Sequence, residues 1–434
     1  MGATVVSREN IEHWQPDSPK LYLFRRALEE MQKISDVSIG DERGYQWAAG
    51  VHGGFGGQPY CHHGDLHFVT WHRPYVLDFE LKLRDRIRAI AGQKAADEWR
   101  LPYWDWADPN TKGLPTAFTD ATYVDEGKNK PNPLLKQPYQ LGFPPGDPVT
   151  NQTVTYRKPG SLATLKGLRT QVQRALEEPD FTTFSRAIER PHNGLHVWVN
   201  GFMATFRSSF DPIFWVHHCT IDRFFWLWRE KFGDATVPAF VRAYECQPFR
   251  FKSIRAESFF DTRALGYAYA EARTSVPRVD AQAFAAPGAK PSAPTALSVD
   301  IGSIPQHFNR ARVHLDGLEH TENTYELRFF ANPKVTPTAS TKTTEKDGFV
   351  GSYHILGHGA CPGAPGHCDA KAARINGLRE EHHLAPYNLM IDVTDGLKRL
   401  SKKRITMAIV VVDLKGKQVP SDILKFDDLA LTVH

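Results

Sequence analysis

The sequence predicts an α+β chain, an N-terminal four-helix bundle followed by an antiparallel β-sandwich, and three observations carry that expectation. From the N-terminus to about Tyr269 the apolar residues mostly recur at helical spacing. Between Ala281 and Ala296 the stretch AQAFAAPGAKPSAPTA is rich in Ala, Pro and Ser with little periodicity, the composition of a linker. Beyond it, TYELRFFA, FVGSYHILGH, YNLMIDVT and ITMAIVVVDLKG are β-rich or alternate apolar with polar residues, and turn residues separate them. A chain of 434 residues also exceeds the usual size of one domain. The expected organisation is a helical domain over residues 1–280, a linker over 281–297 and the sandwich over 298–434, with no internal repeat.

The first helix lies in SPKLYLFRRALEEM, where Leu21, Phe24, Leu28 and Met31 share a face and Ser18 and Pro19 read as N-cap and first-turn proline. After His72, the residues Tyr75, Phe79, Leu83 and Ile87 repeat every four positions, so a helix is expected to begin near that histidine. Pro191 suits the first turn of a helix carrying His192 and His196. Another helix is expected to start at Asp211 and Pro212. Its stripe of Phe214, His218, Ile221, Phe225 and Trp228 turns His218 inward.

Composition excludes several functions. Lys and Arg number 53 against 49 acidic residues, a net +4 that gives no steering toward nucleic acid or acidic membranes, so small, weakly charged ligands are expected. The opening MGATVVSRENIEHW holds no apolar run of signal-peptide length, and no stretch is long enough to span a bilayer. Cys61, Cys219, Cys246, Cys361 and Cys368 are too few and scattered for a disulfide scaffold. A cytoplasmic chain is expected, with export alongside a partner left open.

Histidines supply the chemistry, in three segments. GVHGGFGGQPYCHHGDLHFVTWHRP holds His52, His62, His63, His67 and His72; IERPHNGLHVW holds His192 and His196; FDPIFWVHHCTIDRF holds His217 and His218. Residues four apart on a helix project from one face, as two ligands of one metal must. All-imidazole donor sets without carboxylate or thiolate lean to copper or zinc. Six histidines exceed what one such ion takes, and they divide into two sets of three. A lone buried histidine is usually a hydrogen-bonded core residue, but three clusters beside helix start signals point to metal.

CHHG followed by TWHRPY, then LPYWDWADP, PHNGLHVW and DPIFWVHHCTIDRFFW, resembles the tyrosinase, catechol oxidase and molluscan hemocyanin family. FVGSYHILGHG and the β-rich C-terminal part resemble the further domain that molluscan hemocyanins and some tyrosinases carry. The resemblance implies two copper ions with dioxygen as co-substrate. His52, His63 and His72 are then ligands of one copper and His192, His196 and His218 of the other, with His62 and His67 structural. His218 is preferred to His217 because Phe214 and Asp222 share its face, and Asp222 reads as an orienting carboxylate or a plain helix-surface one.

The resemblance further implies a thioether between Cys61 and His63, a gate ring at Phe214, and a water held by Glu189 and Asn193 as a general base. Expected partners are small phenols, with a homo-oligomer and a copper donor left open. The expected activity is ortho-hydroxylation of monophenols and oxidation of o-diphenols to o-quinones. A catechol or o-aminophenol oxidase and an oxygen carrier are the alternatives; a single unit opening on its own Met favours an enzyme. The C-terminal part is expected to act as a lid that restrains activity, and Cys361 and Cys368 bracket a glycine-rich loop in it.

Overall fold

The computed structural model describes residues 5–53, 61–141, 153–246, 251, 253–269, 284–285, 296–305, 307–357, 386–400 and 404–433. Two compact units emerge, residues 1–188 with 195–275, and residues 189–194 with 276–434. No described helix is long and apolar enough to cross a membrane. The mixed helical and β-rich fold is the α+β class expected from the sequence.

The α-helices are α1 (Pro19–Val37), α2 (Tyr45–Gly53), α3 (Phe68–Glu98), α4 (Leu162–Ala175), α5 (Phe181–Val199), α6 (Ile213–Phe232) and α7 (Ala239–Ala243), with a further short one, α8 (Thr394–Leu400), in the C-terminal part. Short strands accompany them: β1 (Val6–Arg8) pairs in parallel with β4 (Tyr267–Tyr269), and β2 (Thr122–Asp125) forms a hairpin with β3 (Lys128–Pro131). In α1 the stripe Leu21, Phe24, Leu28 and Met31 is buried, as its spacing requires. Pro19 opens that helix, while Ser18 makes no side-chain capping bond. The core is aromatic, and Phe79 of α3 stacks on Trp215 of α6 with ring centroids 3.6 Å apart.

Two helix starts differ from the sequence expectation. Helix α3 begins at Phe68, ahead of His72, and Pro74 lies inside it. The start is set upstream, where the Trp71 amide bonds the His67 carbonyl at 2.7 Å and Asp65 Oδ1 accepts the His67 amide at 2.8 Å. Likewise α5 begins at Phe181, where Asp180 accepts the Thr183 amide, and Pro191 lies inside the helix. Pro191 reads locally as a first-turn proline but lies inside a buried helix, while the repeat that follows His72 marks only the later part of α3. The neighbouring packing tolerates the missing amide bond.

In the second unit the C-terminal chain forms two antiparallel sheets. One has the order β10 (Tyr387–Asp392), β7 (Ala311–Leu318), β13 (Asp428–Val433), β5 (Phe284–Ala285); the other runs β12 (Gln418–Val419), β11 (Arg404–Asp413), β8 (Tyr325–Ala331), β9 (Phe349–Ile355), with β6 (Leu297–Ser303) also on β11. Val313 and Leu431 of the first sheet share a core with Leu327, Ile409 and Val411 of the second, which makes the pair a sandwich. Ala408, Val410 and Val412 face the other side of β11 and are buried there too. That two-sided burial explains the unbroken apolar run AIVVV. Of the linker expected over 281–297, Phe284–Ala285 is a strand paired with β13, Leu297 opens β6, and residues 281–283 and 286–295 lie outside the described residues. Cys361 and Cys368 also lie outside them.

Candidate metal centre

Two groups of histidines gather. The ring nitrogens of His52, His63 and His72 lie within 4.8 Å of one another, and those of His192, His196, His217 and His218 do likewise. The first group joins α2 and the start of α3 through His63, on the segment between them; the second joins α5 and α6. His72 and His218 stack at 4.4 Å between ring centroids, so the groups are adjacent.

Backbone carbonyls aim these rings. Nδ1 of His72 bonds the Phe68 carbonyl at 2.7 Å, one turn back on α3. Nδ1 of His196 bonds the Met203 carbonyl at 2.7 Å, and Nδ1 of His52 lies 3.3 Å from the Phe206 carbonyl. A carbonyl can only accept, so each Nδ1 carries the proton and each Nε2 keeps its lone pair for a metal. His192 reaches the same state by another route, with Nδ1 2.8 Å from Asn193 Oδ1. The buried Nε2 of His52 makes no hydrogen bond in the structure, a costly state that metal coordination relieves.

Burial keeps His52, His72, His196 and His217 neutral, and the neutral ring is the ligating form. Desolvation holds His72 down at about 3 and His196 at about 4, and it pushes His52 and His217 well below the usual imidazole value. The donor chemistry therefore fits copper.

His217 and His218 compete for the last place, and a proton separates them. Trp106 Nε1 donates to His217 Nδ1 at 3.1 Å. Indole N–H is only a donor, so His217 Nδ1 must accept and its Nε2 carries the hydrogen. A protonated Nε2 cannot bind copper, and this argument favours His218. Trp106 lies in the LPYWDWADP motif, yet spacing alone gave it no role.

The remaining sequence-selected residues surround the two groups. The fully buried Phe214 ring lies 4.1 Å from His218 and 4.8 Å from His52 by centroids, against a ligand of each set. Glu189 and Asn193 are buried one turn apart on α5. Cys61 is buried, its Sγ 3.7 Å from the His52 carbonyl. His62 and His67 belong to neither group. A cleft of about 690 Å³ lined by Trp14, Trp99 and Glu9 contains none of these residues.

Asp222, one turn beyond His218, is a buried hub. Its carboxylate accepts from Arg73 Nε, from Arg8 Nη1 at 3.0 Å, and from the hydroxyls of Tyr267 at 2.9 Å and Tyr269 at 2.6 Å. Burial works to raise its pKa, but Arg73, Arg8 and these hydrogen bonds outweigh it and hold the carboxyl below its ordinary value. Arg73 follows His72 directly, so the ion pair joins α3 to α6 beside a ligand on each. The partners come from both ends of the helical unit, a proximity no local pattern displays.

Residues 42–231 match the family model described as the common central domain of tyrosinase. The chain is 28% identical to a tyrosinase of Podospora anserina over 437 aligned residues, covering 79% of this chain and 74% of that protein. In fold it is similar to the deoxygenated hemocyanin of Rapana thomasiana, with TM-score 0.66, 20% identity and complete coverage of both chains. It is similar also to an Aspergillus oryzae pro-tyrosinase, with TM-score 0.64, 17% identity, and 99% and 92% of the two chains covered. All the histidines of the two adjacent groups lie within residues 42–231, so the stretch that is similar to the tyrosinase central domain is the one that carries the candidate metal centre, and the chain is similar over most of its length to tyrosinases and hemocyanins.

Proposed function

We propose that this chain is a phenol oxidase that ortho-hydroxylates monophenols and oxidises o-diphenols to o-quinones, reducing dioxygen. The carrying observation is the pair of adjacent imidazole groups, buried but for the half-buried His63, with the Phe214 ring against a member of each. Similarity to the Podospora tyrosinase over most of both chains supports an enzyme.

His52, His63 and His72 hold one copper and His192, His196 and His218 the other. When bound, the copper pair supplies the binding and activation of dioxygen. The chain's own residues do the rest. Phe214 limits how a substrate ring approaches, and its flat face suits an aromatic guest. Asn193 keeps His192 in its ligating tautomer. The Glu189 carboxylate, one turn from Asn193, receives the phenolic proton, through a water shared with that amide. A free phenol ionises only near pH 10, so this acceptor matters most for monophenols.

The test is turnover of the copper-loaded chain on a monophenol, a catechol and an o-aminophenol. Glu189→Gln should reduce monophenol hydroxylation at least about tenfold more than catechol oxidation, within the range a general base contributes. Equal losses would remove the proton-acceptor role. No monophenol turnover in the parent chain would reassign it to catechol or aminophenol oxidation. A stable oxygenated form without any turnover would make it a carrier.

Cys61 and His63 are proposed to form a thioether, in which one S–C bond replaces an S–H and a ring C–H while dioxygen takes the two electrons. Peptide mass spectrometry of the copper-loaded chain should find the two residues linked, lighter by two hydrogens. Quantitative alkylation of Cys61 would overturn this.

A further inference from the structure

His63 is the one member of its group that stands off a helix, and its backbone therefore lacks a helix's own hydrogen bonds. Its neighbour His62 is gripped from both sides. His62 Nδ1 lies 2.6 Å from Asp65 Oδ2, and His62 Nε2 lies 3.0 Å from the Tyr244 hydroxyl. A neutral ring satisfies both contacts, with Nδ1–H donating to the carboxylate and Nε2 accepting from the phenol.

Asp65 ties the same turn to α3, because its other oxygen accepts the His67 amide at 2.8 Å. Tyr244 also lies against the His67 ring, centroids 4.5 Å apart. The tyrosine is itself anchored, since its carbonyl accepts the Ala256 amide at 2.8 Å and, just beyond it, the Cys246 amide bonds the Ile254 carbonyl at 3.0 Å. A side chain just past α7 thus grips both flanks of the segment that presents His63.

We propose that Tyr244 is a positioning residue for the first copper: through His62 and the His67 ring it fixes the segment carrying His63, so affinity at the His52, His63 and His72 group depends on Tyr244 while the other group does not. The proposal rests on the copper reading above. Groups that only orient a ligand still typically change metal affinity about 10–100-fold.

The experiment isolates each group. His196→Ala disables the second group and His52→Ala the first, and each background is titrated with Cu(I) alone, without oxygen, against a chromophoric chelator. Adding Tyr244→Phe should weaken Cu(I) binding about tenfold in the His196→Ala background and leave the His52→Ala background unchanged. His62→Phe should repeat that pattern, and the double variant should lose no more than either alone. His62→Phe alone serves as the second test if Tyr244→Phe fails to fold. Unchanged affinity in the His196→Ala background, or equal losses in both, overturns the proposal. Failure of the parent chain to bind a pair of Cu(I) ions would instead sink the dicopper reading.

Discussion

The two histidine groups achieve similar geometry on different supports. His192, His196 and His218 all stand on helices, where hydrogen bonds along the backbone already hold each Cα in place. In the first group His52 and His72 stand on α2 and α3, but His63 stands between them and is less buried than its companions. The helical group needs only side-chain orientation, which the Met203 carbonyl provides for His196 and Asn193 for His192. The mixed group also needs its backbone fixed from outside, by Asp65 and Tyr244. Where the ligand's backbone is regular, only the ring needs support; where it is irregular, the backbone needs it too, and for His63 part of it comes from far along the chain.

Replacing ligands gives the largest test of that comparison. His218→Ala should lower bound copper from a pair to a single ion per chain, measured by atomic absorption, while His217→Ala should keep the pair. Equal loss from both would mean that the Trp106 hydrogen bond does not decide between them.

A smaller effect should follow from Asp222→Asn, which leaves Arg8 and Arg73 buried without their shared charge. Breaking such a buried pair costs about 3–5 kcal/mol, read from the urea midpoint of the metal-free chain. Because Asp222 joins α3 to α6, copper affinity should fall at both groups, unlike the one-sided loss expected for Tyr244→Phe. A loss confined to one group would show that the helices do not share a frame.

Acid should act most gradually and on both groups alike. In the folded, metal-free chain His72 stays neutral to about 3 and His196 to about 4, whereas unfolded histidine protonates near 6.5. The unfolded chain therefore binds more protons across that window, so the stability that these two rings carry falls as pH drops below about 6.5, before the depressed carboxyl of Asp222 adds its own loss at lower pH. Melting temperature against pH checks this. A flat profile would show that burial does not keep these rings neutral.

Much of this was legible in the sequence because its signals are periodic. The four-residue spacing of His192 and His196 placed both on one helix face, and the alternation after the Pro-rich stretch announced strands. Pro191 misled because a proline's local signature is the same at a first turn and inside a helix that packing supports. The Trp106, Arg8 and Tyr244 contacts were illegible for another reason. Each joins residues more than a hundred positions apart, and chain-local patterns carry no record of such meetings.

Helix α5 ends on two successive residues of positive φ, Asn200 at 62° and Gly201 at 61°, and the chain then doubles back to bring the Met203 carbonyl to His196. A Cβ on Gly201 would sit 2.0 Å from the Tyr156 carbonyl oxygen, so no other residue fits without moving one of the two segments. For protein engineering, Gly201 is a tuning point outside the coordination sphere. A change there should shift the Met203 carbonyl that orients the His196 ring while every candidate donor atom keeps its identity, so a substitution that a comparison of the proposed ligands scores as silent should still change metal affinity.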